Sequence, residues 1–307
     1  MKIFLTGGSG MVGSNVLEHP RSKQHTILAP RRAELDLLSE NAVYAYLQSH
    51  QPDVVIHTAG TVGGIQANIA HPVSFFSDNL KMGMNVLLGA RRASIPQLLN
   101  IGSSCMYPRD AKNPLREKSV LSGELEPTNE GYAIAKIACA RLCEYINREE
   151  PSYLYKTIIP CNLYGRHDKF DPSKSHMIPA AIRKTAEAME TKSETVEIWG
   201  TGQARREFMY AGDLADFIYT AIDRISDLPQ NLNVGLGYDY SILEYYQVIG
   251  GVLGFRGRFT HDLSKPQGMS QKVVDITKLS AFGWKPKTAL KTGIELTYDF
   301  YRSAFQR

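Results

Sequence analysis

Short apolar runs alternate with helix-length segments through the first half of the chain, a run of three glycines follows the first of them, and the alternation loosens after Asn162. These observations predict a doubly wound parallel α/β sheet of the Rossmann type with a smaller C-terminal α/β unit, because strands alternating with helices pack as a parallel sheet covered on both faces. Strands are expected at Lys2–Thr6, His25–Leu28, Val54–Thr58, Leu98–Gly102 and Lys156–Pro160, with helical segments between them. Gly7, Gly10 and Gly13 form a G-x-x-G-x-x-G run that opens into a helix over Met11–Glu18. The stretch from Ser103 to Asn129, rich in Pro, Gly and charge, reads as a loop at the carboxyl end of a strand, where ligands bind in this architecture. Beyond it come a polar segment Arg166–Ser175, a helix Ile178–Met189, a strand Val196–Trp199, and a return to the larger unit over Phe208–Ile225. Residues 1–161 and about 207–234 are therefore assigned to the larger unit, and about 162–206 and 235–307 to the smaller.

The composition excludes several function classes. The chain has 307 residues, 43% of them hydrophobic, enough for one large or two modest cores, and no apolar stretch long enough to span a bilayer. Its first strand begins at once, without the layout of a signal peptide, so a cytoplasmic location is expected. The net charge of +4 is small and the basic residues are scattered, which argues against nucleic acid as a partner. Cys105, Cys139, Cys143 and Cys161 show no C-x-x-C spacing, so reduced thiols and no metal are expected, with Cys139 and Cys143 as small packing residues one helical turn apart.

The chemistry resides in two segments. Tyr132 and Lys136 are four residues apart, on one face of a helix, where an ammonium can lower the pKa of a phenol. Such a phenol can exchange a proton with a carbonyl or alcohol oxygen while a nicotinamide exchanges hydride with the attached carbon, and Ser103 is placed to hydrogen-bond the same oxygen. Gly7, Gly10 and Gly13, with Met11 and Val12 between them, permit close approach of the backbone to a pyrophosphate at a helix N-terminus; the alternative is a turn that merely packs tightly. An NAD site places an acid about 20 residues after the glycines. Here that stretch reads Leu28-Ala-Pro-Arg-Arg32, and its two guanidinium groups match the 2′-phosphate of NADPH in charge and geometry unless both are simply solvated. His57, in an apolar strand, reads as a structural imidazole or a cofactor-side contact. From local sequence alone His176 reads equally as a polar residue at a helix start, and Cys105 as a small buried residue.

Gly10-Met-Val-Gly-Ser14, Val62-Gly-Gly-Ile65, Gly102-Ser-Ser-Cys-Met-Tyr-Pro108, Leu125-Glu-Pro-Thr-Asn-Glu130, Asn162-Leu-Tyr-Gly165, Ser175-His-Met-Ile-Pro179 and Arg205-Arg-Glu-Phe208 together resemble the GDP-L-fucose synthase group of the extended short-chain dehydrogenase/reductase superfamily, over nearly the whole chain. GDP-L-colitose synthases and reductases of GDP-heptoses are similar. The resemblance implies a homodimer that uses NADPH to epimerise and reduce a GDP-linked 4-keto-deoxy sugar. It selects Arg32 over Arg31 for the cofactor phosphate. It gives Ser103, Cys105, Tyr132, Lys136 and His176 catalytic roles, with Lys136 also on the nicotinamide ribose. It assigns Asn162, Lys184, Trp199, Arg206 and Lys272 to the substrate, the last four to its GDP part.

A 4-ketohexose has acidic protons at C3 and C5, since the resulting anion delocalises onto O4. By resemblance, Cys105 removes such a proton, His176 returns one, and Ser103 and Tyr132 hold the enolate oxygen. Hydride then reaches C4 while Tyr132 protonates O4; reducing first would remove the acidity. Gly131, where the group often has Pro, and Cys161, where a small polar residue is common, depart from the pattern close to the expected sugar site. Two other readings stay open: a C4 reductase of a GDP-heptose in which Cys105 and His176 are idle, and a non-catalytic NADP(H)-binding sensor or scaffold.

Overall fold

The computed structural model describes residues 1–172, 175–264 and 269–305; Ser173 and Lys174, inside the polar segment read ahead of His176, lie outside them. Five strands come from the first half of the chain: β1 (Lys2–Thr6), β2 (Thr26–Leu28), β3 (Val54–His57), β4 (Gln97–Ile101) and β5 (Leu154–Pro160). Next come β6 (Asn162–Tyr164), β7 (Thr195–Trp199), β8 (Arg205–Arg206) and β9 (Phe208–Tyr210), after which β10 (Asn231–Val234) returns to the first group. The sheet order is β10-β5-β4-β3-β1-β2 and every pairing is parallel. The chain builds β2 on one side of β1 and then crosses to β3 on the other. That reversal opens a crevice at the carboxyl ends of β1 and β3, the position where this fold takes its ligand.

The strands are apolar because both faces are covered. Phe4 of β1 packs with Val43 and Leu47 of α2 (Glu40–His50), Val86 and Leu87 of a helix over Pro72–Arg92, and Cys143 of a helix over Glu130–Glu149. Its neighbours Ile3 and Leu5 face the opposite core, with Val16 of α1 (Met11–Glu18) and Leu214 and Phe217 of a helix over Ala211–Asp223. The period of two in β1 thus divides the layers. Continuing in chain order, Ile65–Ala70 is α3, Pro72–Arg92 is α4, Glu130–Glu149 is α5, Met177–Glu190 is α6 and Ala211–Asp223 is α7. Tyr219 of α7 donates its hydroxyl to the Val16 carbonyl at 2.8 Å, fixing the returning helix against α1.

β10 is the strand the sequence reading lacks. Its segment Asn-Leu-Asn-Val shows no apolar run, yet Asn233 is fully buried. The Asn233 amide accepts from the Tyr107 hydroxyl and donates to the carbonyls of Leu115 and Asp275, so specific hydrogen bonds rather than hydrophobicity hold the strand inside.

A second core joins Tyr164, Ile178 and Ile182 of α6, Val196 and Ile198 of β7, and Phe208 to residues further on. These come from β11 (Tyr240–Ser241), α8 (Ile242–Leu253), β12 (Arg258–Asp262) and α10 (Leu290–Phe305), with β13 (Gln271–Lys272) and α9 (Thr277–Phe282) lying between the last two in the chain. β7 pairs with β12, and β8 lies between β11 and β13. The expected assignment of 235–307 to the smaller unit needs correction. Val274, Leu279, Phe282 and Trp284 belong to the larger core, where Trp284 meets Phe217 edge-on at 5.0 Å. The chain therefore makes two crossings more than expected, into the larger unit at Val274 and back with α10.

Glu207 holds these crossings together. It is 1% exposed, one carboxylate oxygen accepts from the backbone N–H groups of Leu236 and Gly237, and the other accepts from that of Val274. Exchanging it for Gln turns one acceptor into a donor that faces a backbone donor, which costs about 1–3 kcal/mol for the buried group left unsatisfied. Glu207→Gln should lower the thermal unfolding midpoint by several degrees, read by circular dichroism; an unchanged midpoint would show that the knot carries no stability.

Candidate active site

A cleft of about 930 Å³ runs along the carboxyl edge of the sheet and is walled by both units. The cofactor end begins at the glycine turn. Gly7 has φ +72, and a Cβ there would lie 2.7 Å from the Ala59 backbone; one on Gly13 would lie 2.2 Å from the Gly7 carbonyl oxygen. No side chain caps the N-terminus of α1, so its first N–H groups are left for an anion. Arg32 lines the cleft, whereas the backbone N–H of Arg31 is bonded to Glu34 at 2.7 Å. The same rim carries Asp36, whose carboxylate accepts from the Leu38 N–H at 3.1 Å. A bare-backbone cradle, an uncapped helix and a guanidinium at the far wall fit a dinucleotide carrying a ribose phosphate.

Ser103 follows β4 directly, and its hydroxyl accepts from the Cys105 N–H at 3.2 Å. The Tyr132 phenol lies near enough to Ser103 for the serine to pull its pKa down. Lys136 is 6% exposed; its Nζ donates to the Ile101 carbonyl at 2.9 Å and lies 5.8 Å from the Tyr132 ring centre. Ser103, Tyr132 and Lys136 are thus brought together as their spacing implies, but the expected electrostatics are reversed. Burial, and then the Cys105 sulfur, push the Tyr132 phenol above its ordinary value, and the opposing pull of Ser103 does not offset them. Burial also pulls Lys136 below its ordinary value. With its phenol pushed up, Tyr132 is a neutral hydroxyl at neutral pH, the form that can donate a proton.

Cys105 is half-buried in the cleft wall. The Asn129 amide donates to its sulfur at 3.3 Å, and the Lys272 ammonium lies 3.9 Å away. His176 stands at the N-cap of α6, exposed in the cleft lining, with its ring making no capping bond. Surrounding protein and then Lys169 hold its pKa below the ordinary histidine value. Lys169, which sequence reasoning missed, also donates to the Val62 carbonyl at 3.0 Å and so ties the loop ahead of α3 to the segment before α6. Nothing in a polar stretch read as loop singles out this lysine. His57 is structural: buried, bonded to the Thr6 hydroxyl at 2.9 Å, and pushed by burial to a pKa of about 3.

The substrate candidates line the other half of the cleft. Asn162 donates to the Glu207 carbonyl at 2.9 Å. Lys184 donates to the Glu197 carbonyl at 3.1 Å and sits 5.1 Å from the Trp199 ring, which is 40% exposed. Arg206 and Lys272 are in register on the adjacent strands β8 and β13. Lys272 therefore bridges the two halves, within reach of Arg206 and of Cys105. Cys161 is buried in the cleft wall. Gly131 stands between the cleft-lining Asn129 and Tyr132, and a Cβ there would meet Phe76 and Pro72 of α4 at 3.2 and 3.3 Å.

A profile of the NAD dependent epimerase/dehydratase family matches residues 3–235. The chain belongs to that family. Among its relatives, the GDP-L-colitose synthase of Yersinia pseudotuberculosis is 56% identical over 301 residues, covering 98% of each chain. The GDP-L-fucose synthase of Azorhizobium caulinodans is 47% identical over 300 residues, covering 98% of this chain and 96% of its own. In structure, this family member is similar to a GDP-mannoheptose C4 reductase from Campylobacter jejuni with NADP bound, at a TM-score of 0.87 and 32% identity over 98% of each chain.

The position of Arg32 yields a direct expectation. Arg32→Ala should weaken NADPH binding about tenfold, the value of a charge-assisted contact at an exposed site, and leave NADH nearly unaffected. Titration of both cofactors by protein fluorescence checks this, and equal losses for the two would place the ribose phosphate elsewhere.

Proposed function

We propose that the chain is an NADPH-dependent epimerase and C4 reductase that turns a GDP-4-keto-6-deoxyhexose into a GDP-L-sugar, with GDP-L-colitose ranked ahead of GDP-L-fucose. One observation carries the reading. Beside Ser103, Tyr132 and Lys136, which suffice for ketone reduction, the same cleft presents a cysteine and a histidine for which reduction alone has no use. The ranking of products follows the identities, 56% to a colitose synthase against 47% to a fucose synthase. A 3,6-dideoxy substrate has a single stereocentre beside the ketone, at C5, so one inversion completes the change of configuration.

In this mechanism Arg206 and Lys184 receive the pyrophosphate, Trp199 packs against the nucleoside, and Asn162 borders the sugar. Cys105 takes the proton alpha to the ketone. Ser103 and Tyr132 hydrogen-bond the enolate oxygen as it gains charge, and His176, from the other wall, delivers a proton to the opposite face. The anionic nucleotide favours the imidazolium form that this delivery needs. NADPH, when bound, supplies hydride to C4. Tyr132, kept neutral by its burial, then gives its proton to O4, while Lys136 holds β4 and α5 in place and meets the nicotinamide ribose.

The assembly we propose is a cytoplasmic homodimer. Val73, Phe76, Met84 and Leu88 of α4 and Ile134 and Tyr145 of α5 are exposed apolar residues on adjoining helices, a surface suited to self-association. Among the described residues no helix is long and apolar enough to cross a membrane.

Two outcomes follow. Tyr132→Phe should abolish NADPH oxidation and leave cofactor affinity nearly intact, since one hydroxyl is lost and little packing; retention of a tenth of the wild-type rate would remove Tyr132 as the main acid. Cys105→Ser and His176→Ala should suppress deuterium uptake alpha to the ketone in heavy water without NADPH, yet still reduce a ketone that already has the inverted configuration. Undiminished uptake in both variants would favour a pure C4 reductase, as in the heptose enzyme. Absence of turnover on any keto sugar despite NADPH binding would favour a sensor.

A further inference from the structure

Asn129 occupies the N-cap position of α5, yet its side chain makes no capping bond. An asparagine at this position ordinarily accepts a hydrogen bond from the first turn of its helix. Here the amide nitrogen instead donates to Cys105 Sγ at 3.3 Å, while Oδ1 is buried without a hydrogen-bond partner among the described residues. As a packing device this arrangement is poor. It forgoes a cap, leaves a buried acceptor unsatisfied, and spends its donor on a thiol, a weak acceptor. A thiolate is a far stronger acceptor, and charge-assisted hydrogen bonds are roughly twice as strong as neutral ones. The arrangement becomes favourable when the sulfur carries charge.

The other groups facing the sulfur are consistent with that state. Lys272 Nζ stands 3.9 Å from Sγ, and the buried Lys136 ammonium interacts with the same sulfur. The Tyr132 phenol also lies beside it, neutral, and Ser103 holds the backbone N–H of Cys105. Glu126 on the same loop lines the cleft, and its charge is felt by Arg206. One cation and one amide donor therefore contact a single sulfur, with a second, buried cation acting on it from further off and no carboxylate bonded to it among the described residues.

We propose that Asn129 is a positioning residue for Cys105, its amide orienting the sulfur and stabilising it as a thiolate with Lys272 as the accompanying cation. The inference rests on the reading of Cys105 as the base of the epimerisation. It also changes the work of Lys272, which serves the base as well as the nucleotide. The amide acts through the sulfur.

The test is alkylation of Cys105 by iodoacetamide in the full chain across neutral and alkaline pH, located by peptide mass spectrometry; Cys139, Cys143 and Cys161 are buried. Asn129→Ala should move the pH profile up by about one unit, slowing alkylation at neutral pH about tenfold. Asn129→Asp should move it further, because a carboxylate then faces the sulfur. Aspartate is among the best N-cap residues and favours a helix N-terminus, so this variant should keep or raise the unfolding midpoint. The Asp variant thereby separates electrostatics from folding and decides the matter if the Ala variant is unstable. An unchanged profile in folded Asn129→Asp overturns the inference. Deuterium uptake by the wild type distinguishes the two failures: no uptake defeats the proposed function, whereas uptake with an unmoved alkylation profile defeats only the role of Asn129.

Discussion

The hydrogen bond from Lys136 Nζ to the Ile101 carbonyl is the interaction on which the site depends. It joins the last residue of β4 to the second turn of α5, so the loop bearing Ser103 and Cys105 and the helix bearing Tyr132 are held in one register. The cost is a buried ammonium, and that cost sets the local electrostatics. The ammonium lowers the pKa of His57, interacts with Cys105, and has its own pKa lowered by the same burial. A cation in this place is tolerable because a carbonyl and polarisable sulfurs surround it.

From that anchor the two reactions separate spatially. In the proposed mechanism Ser103 and Tyr132 serve both steps at the ketone oxygen, stabilising charge in the first and donating a proton in the second. The proposed carbon acid chemistry is divided between the units, with Cys105 packed on the core of the larger and His176 at the start of a helix of the smaller. A base and an acid drawn from different units can address opposite faces of a ring, which one helix presenting both could not do. The crossings at Glu207 and at Val274 fix the relation of those units, so a carboxylate remote from the substrate contributes to catalytic geometry.

Much of this was readable from residue order. The glycine run, the apolar alternation and the Tyr132–Lys136 spacing each express a local rule, and the parallel sheet with its cleft follows from them. β10 escaped because its burial is secured by Asn233 and its partners rather than by apolar side chains. The return of Val274 and Trp284 to the larger core escaped for a related reason: short segments carry no period from which a packing partner can be inferred. The upward shift of Tyr132 is not legible in the sequence because spacing places a cation near a phenol without saying how deeply the phenol is buried. Asn129 lay in full view within Thr-Asn-Glu, but at a helix start an asparagine reads as a cap, and only the geometry shows it turned to the sulfur.

The central claim is that one cleft performs inversion before reduction. The most direct measurement is the NMR structure of the product made by the wild-type chain from GDP-4-keto-3,6-dideoxymannose and NADPH in heavy water. The account predicts a GDP-L-sugar with inverted C5 carrying deuterium at that carbon. A reduced sugar of unchanged C5 configuration with hydrogen at C5 would contradict it.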